Sequence, residues 1–247
     1  MSRGAVKRKT GFLKPKYHYA IFSEGEVTEP SYFQGLKQVI ERKAVYQDMI
    51  YIRGTAKSTM GVLDVAKTWV SENRARNCRV WCLYDKDDFS DNDFNAVLQR
   101  MKALNESDKN GNMYFAGWSN ESFEYWLVLH FKFYQVNNGR RDYERILDEV
   151  FKEKLGKAYS KKARDCDGSG KDGKSLWSDM ITIGNLSDAI RYAEKQLQHL
   201  RDQLGNDVVE RMPSKAVPAT KVHVLVKDLL EYLPAEEKGK YLNSGGL

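Results

Sequence analysis

The sequence predicts an α/β protein, a mostly parallel sheet flanked by helices and followed by a helical C-terminal portion. Three observations carry this. Short apolar or β-branched runs alternate with longer amphipathic stretches through the first half of the chain, the pattern of repeated strand-helix-strand units. Beyond residue 118 the strand signal gives way to helical periodicity. Hydrophobic residues make up 41% of the 247, enough for a packed core, and charged residues make up 30%.

Taken in order, residues 17–23 (YHYAIFS) read as a first strand, and Pro30 suits the first turn of a helix over 31–43. Residues 48–53 read as a second strand, 61–77 as a helix, 79–84 as a third strand, 91–105 as a helix and 113–118 as a fourth strand. Ser119 is placed to cap a helix over 120–131, and helices follow over 141–155, 186–203 and 221–232. Lys, Gly, Ser and Asp dominate residues 156–175, which read as a mobile loop. The chain divides on this reading into a basic flexible arm (1–16), an α/β core (17–135) and a helical extension (136–247).

Charge is placed unevenly. Residues 1–16 carry Arg3, Lys7, Arg8, Lys9, Lys14 and Lys16 and no acid; the remaining 34 Lys and Arg balance the 34 Asp and Glu, so the net +6 belongs to the arm. Such an arm suits contact with a phosphate backbone, and it equally suits a solvated tail. No run approaches the roughly 18 apolar residues that span a bilayer, and no apolar segment follows the N-terminal charges as in a secretory signal. A cytoplasmic protein is expected. Cys78, Cys82 and Cys166 lack the spacing of a zinc or redox motif and read as reduced thiols, with Cys82 filling a strand.

Two acidic clusters stand where strands should end. Glu24, Glu26 and Glu29 follow the first strand, and Asp85, Asp87 and Asp88, with Lys86 between them, follow the third. Asp, Glu and Gly are ordinary turn residues, so two solvated loops are one reading. Carboxylates brought together repel unless a cation lies between them, and hard divalent ions take carboxylate oxygens, so a magnesium site is the other. In a parallel sheet both clusters fall on the edge where ligands bind, which favours the metal.

A second stretch begins where the fourth strand ends. Asn120 and Glu124 are one turn apart on the predicted helix and share a face near the acidic edge. Glu124 lies among Phe123, Tyr125 and Trp126 and needs a partner if buried. His130 falls on another side of the helix, where it reads as a core histidine or as an outlying member of the site. Residues 168–175 match the phosphate-loop pattern GxxxxGK[ST] and include Lys174. That motif needs a buried strand entering the loop, and the preceding KKARDCD is too polar to supply one.

These blocks together resemble the RloB family of the Toprim-like superfamily. The resemblance rests on EGEVTEPSYF at 24–33, DKDD at 85–88, SNESFEYWLVLHF at 119–131, AYSK at 158–161 and PATKVHVLV at 218–226, and runs from about residue 17 to 233. Glu121 stands where the family carries a proline. The resemblance implies a Toprim-like core in which Glu24 is a metal ligand or general acid/base and Asp85 and Asp87 hold magnesium. Asp88 then counts among the metal ligands, and Glu29 and Glu124, with Asn120 and His130, among surrounding or second-metal positions. It further implies a role in bacterial antiphage defence beside an ATPase partner, and relatives that cut nucleic acid, transfer RNA included.

Phosphate would be held by Lys86, by Lys161, Lys162 and Arg164, with Lys161 favoured by the resemblance, and by Lys7, Arg8 and Lys9 of the arm. The leading expectation is a nuclease dependent on Mg2+, with Mn2+ as a substitute, cutting phosphodiesters of RNA or DNA. A non-catalytic partner that binds nucleic acid or restrains an ATPase is the alternative, and a phosphate-loop ATPase the third.

Overall fold

The structure is a computed structural model and describes residues 17–43, 49–159 and 175–242. Four strands run parallel: β1 (His18–Ser23), β2 (Ile50–Gly54), β3 (Cys78–Asp85) and β4 (Met113–Asn120). They are connected by α1 (Thr28–Lys43), α2 (Thr59–Glu72) and α3 (Asp91–Ser107). Then come α4 (Phe123–Leu129), α5 (Arg140–Leu155), α6 (Leu176–Ile183), α7 (Leu186–Leu204) and α8 (Asn206–Arg211). The chain returns to the sheet with the short β5 (Ala219–Thr220), antiparallel to β4, before α9 (Val222–Leu230) and α10 (Ala235–Leu242). The fold is the α/β, mostly parallel sheet with a helical C-terminal portion that the sequence predicts.

The sheet order is β2-β1-β3-β4-β5. The chain steps from β1 outward to β2, then crosses to the other side of β1 for β3, so the switch in direction lies between β1 and β3. Burial follows from this order. In β1 every residue but His18 is buried and in β3 every residue but Arg79 and Asp85, as expected of strands covered on both faces, whereas the edge strand β2 alternates. The alternation of side chains then sorts the core into two layers. Tyr19, Ile21, Trp81 and Leu83 meet α1, α4, α5, α6 and α9 on one face, and Ala20, Phe22, Val80, Cys82 and Tyr84 meet α2 and α3 on the other. Helices from the second half of the chain thus complete the layer begun by α1.

Cys78 and Cys82 are buried free thiols, and burial pushes the Cys78 thiol up to about 12. No described helix is long and apolar enough to cross a membrane.

One boundary corrects the sequence reading. The helix expected from residue 120 begins only at Phe123, because β4 continues through Ser119 and Asn120 to pair with Thr220 and Ala219. Ser119 does not cap that helix; its hydroxyl meets Thr220 Oγ1 at 3.0 Å. A strand of two residues has too little sequence for its pattern to be read, and β5 exists only because β4 is there to pair with it. The helices α6, α8 and α10 are likewise additions, each six to eight residues long.

Candidate functional site

At the switch point the two acidic clusters become neighbours. Ser23 is level with Leu83 in the β1-β3 ladder, and Glu24 N–H continues the pairing to Leu83 O at 3.0 Å. Glu24 Oε2 accepts a hydrogen bond from Asp85 N–H at 3.4 Å. Each strand therefore delivers its first acidic residue beside the other's.

Around them is a cavity of about 390 Å³ lined by Glu24, Gly25, Glu26, Val27, Thr28, Glu29, Asp85, Asp87, Phe123, Glu124 and Arg140. Glu29 is buried in the first turn of α1, where the helix N-terminus favours a negative charge. Its Oε1 accepts from Gly25 N–H at 3.2 Å. A Cβ on residue 25 would lie 2.4 Å from Glu29 Oε2, so glycine is what allows this turn to close on the carboxylate. Glu124 is buried in the first turn of α4, and the partner that its aromatic surroundings demanded is Tyr159, whose hydroxyl donates to Oε1 at 3.1 Å. Asp87 takes a left-handed backbone (φ 32), donates its N–H to Glu121 O at 3.1 Å, and receives Arg140 Nη1 on Oδ2 at 2.6 Å.

Crowded carboxylates hold their protons. Burial, opposed by the Asp85 N–H and reinforced by the charges of Asp87 and Glu29, pushes Glu24 up to about 7. Burial, then Glu29, Glu124 and Asp87, push Asp85 well above the usual carboxylate range. Burial and Glu124 likewise push the Tyr159 hydroxyl well above its ordinary value.

The donor types fit a hard divalent cation, since every candidate ligand in the cavity is a carboxylate. Their present side-chain positions pair them with the protein instead: Glu29 with Gly25 N–H, Glu124 with Tyr159 and Asp87 with Arg140. Accordingly, among the described residues no three acidic, His or Cys side chains already converge as a ligand set.

Of the residues singled out from sequence, Glu24, Glu29, Asp85, Asp87 and Glu124 line the one cavity. Others lie elsewhere. Asp88 is exposed and outside the lining. Lys86 turns toward the start of α3, where its Nζ donates to Phe89 O and lies 3.5 Å from Asp91. Asn120 does not share a face with Glu124: it is buried at the end of β4, and its Nδ2 holds the carbonyls of Pro213 and Ser214 at 3.1 and 3.0 Å. His130 is a core histidine, with Nε2 3.2 Å from Tyr32 Oη and its ring against Trp126; burial lowers it to about 3. Lys7, Arg8, Lys9, Lys161, Lys162, Arg164 and Lys174 lie outside the described residues.

The end of the phosphate-loop pattern is described. Ser175 Oγ accepts from Ser178 N–H at 3.2 Å, capping α6, and Leu176 N–H donates to Ser31 Oγ at 2.9 Å, so this helix start is docked on α1. The last described element before the pattern is α5, a helix where the motif needs a strand.

Two residues that pair with the acids of the cavity, Tyr159 behind Glu124 and Arg140 in the lining, were not singled out from the sequence for this site. Tyr159 falls within the AYSK block of the resemblance, which was a usable signal. Arg140 has none: it is one of two arginines at a helix start, 53 residues from the Asp87 it meets.

Fold and cavity define the class as an α/β protein with an acidic cleft at the switch point of a mostly parallel sheet. The RloB-like protein profile matches residues 19–229, and the chain belongs to that family. No curated protein and no solved structure gives a significant match.

Proposed function

We propose that this protein is a divalent-metal-dependent nuclease of the Toprim type that cleaves phosphodiesters in RNA or DNA, using Mg2+ or, as a substitute, Mn2+. The observation that carries the reading is the meeting of Glu24, Asp85 and Asp87 in one cavity at the switch point, with Glu24 held near neutrality. When bound, the ion would supply Lewis-acid activation of water and neutralise the nonbridging oxygens of the phosphate. Asp85 and Asp87 would hold it from β3 and the loop beyond. Glu24, raised to about 7, is suited to take or give a proton at neutral pH. Glu29 and Glu124, fixed by Gly25 and Tyr159, would steady the surrounding charge. The family resemblance adds the setting, antiphage defence beside an ATPase.

Incubating the protein with labelled transfer RNA and with single- and double-stranded DNA, in Mg2+ or Mn2+, tests this. Cleavage of one substrate by the wild type and none by Asp85→Asn is the expected result. The Arg140–Asp87 ion pair favours a second reading, a non-catalytic nucleic-acid-binding or regulatory partner of a defence ATPase. Equal binding of nucleic acid by both proteins, with cleavage by neither, would select it.

A further inference from the structure

Among the described residues lining the cavity, Arg140 is the one basic residue against six acidic ones. It does not neutralise them evenly. Its Nη1 is on Asp87 at 2.6 Å, while its Nε faces Glu144, one turn along α5 and outside the lining, at 3.4 Å. The base of the side chain is fixed beside the Asp87 loop. Glu121 O accepts from Asp87 N–H, and Gly139, next to Arg140, has φ 78 and packs so close to Glu121 that a Cβ there would lie 3.2 Å from its Oε2. The guanidinium end is less confined, because the side chain is 43% exposed against 24% for Asp87. An ion pair this open to solvent exchanges partners at little cost.

Two cations would therefore compete for the Asp87 carboxylate. A dication drawn to Asp85 and Asp87 would repel a guanidinium 2.6 Å from the same oxygen. A displaced guanidinium has a planar fork that matches phosphate oxygens, and it sits on the first residue of α5, where the helix N-terminus also favours an anion. Building on the metal-dependent reading above, we propose that Arg140 is an exchangeable counter-cation. It holds Asp87 while no divalent ion is bound, releases it when one binds, and then grips the phosphate at the scissile bond of the nucleic acid. The exchange moves charges between partners and breaks no covalent bond.

Manganese binding to the full chain without nucleic acid, followed by the paramagnetic resonance signal of free Mn2+, tests the exchange apart from catalysis. Arg140→Gln removes the competitor and is expected to bind Mn2+ about fivefold tighter than wild type. Arg140→Lys keeps the charge and is expected to return to the wild-type value. With labelled nucleic acid, KM of the Gln variant should rise about tenfold, the worth of a charged hydrogen bond to phosphate. Unchanged or weaker Mn2+ binding by the Gln variant, with its melting temperature intact, overturns the exchange. Tighter binding with an unchanged KM overturns the phosphate role. Wild type that binds no Mn2+ removes the metal-dependent reading itself, a failure distinct from the other two.

Discussion

The two ends of strands β1 and β3 handle buried charge in opposite ways. At their carboxyl ends, Glu24 and Asp85 stand among further acids with Arg140 as the one basic residue among the described lining, and burial, reinforced by those acids, holds their protons. Near their amino ends, Tyr19 of β1 and Arg79 of β3 enclose one carboxylate, Asp228 of α9. The Tyr19 hydroxyl donates to Asp228 Oδ2 at 2.9 Å, Arg79 Nη1 pairs with Oδ1, and the guanidinium lies 4.2 Å from the Tyr17 ring centre. The amino end is balanced and reads as structure. Among the described residues the carboxyl end is unbalanced in a way that costs stability without a ligand, the difference expected between a candidate site and a structural ion pair.

The largest effect should come from neutralising the unbalanced end. Asp85→Asn is expected to lower cleavage about a thousandfold while raising the melting temperature of the metal-free protein, because the cost of burying the carboxylate, and then its repulsion from Glu29, Glu124 and Asp87, is removed. Parallel nuclease assays and thermal melts in a chelator check both halves, and a fall in melting temperature would erase the contrast between the two ends.

Acid should act chiefly through the interior. His130 and His223 are lowered by burial from 6.5 to about 3, His223 also by Lys227 and Lys221. Between these values the unfolded chain binds protons that the folded chain refuses, so stability is full above pH 6.5 and is lost as pH falls toward 3. Each histidine should withdraw about 2 kcal/mol by pH 5. Glu24 has the opposite sign: raised from 4.5 to about 7, it withdraws stability as pH rises through that window. Asp85, also raised, has the same sign, so urea melts of Glu24→Gln in a chelator at pH 7 and pH 5 should show a larger acid loss than wild type. Adding His130→Gln should shrink it.

At the balanced end, Asp228→Asn is expected to destabilise the fold by about 2 kcal/mol, the cost of leaving Arg79 without its charged partner, with cleavage unchanged. Denaturant melts and the nuclease assay on one preparation separate the two. The smallest effect is reserved for the turn that closes the acidic end. Gly25→Ala should push the Glu29 carboxylate off the Gly25 N–H and lower cleavage by a few-fold, with stability changed by less than about 1 kcal/mol, since the clash is with the end of a flexible side chain.

Arg140 and Glu124 mark where reading from sequence stops and starts. Glu124 was legible because a carboxylate among aromatic residues must find a partner, although which partner was not. Arg140 was illegible because nothing local distinguishes an arginine at a helix start from its neighbour Arg141. Asn120 was misread for a related reason. Its helical periodicity was plausible alone, and only pairing with Ala219 kept it in a strand.

The sequence by itself determined the alternation of strands and helices, the parallel sheet, the side chains that fill it, and the delivery of both acidic clusters to one edge. These follow from period, propensity and the direction of the chain, all of them local. Tertiary structure alone decided that β1 and β3 are adjacent, which brings Glu24 to Asp85, and that α5 returns to lay Arg140 against Asp87. Strand order and helix docking are set by long-range burial summed over the whole chain, and no window of residues contains that sum.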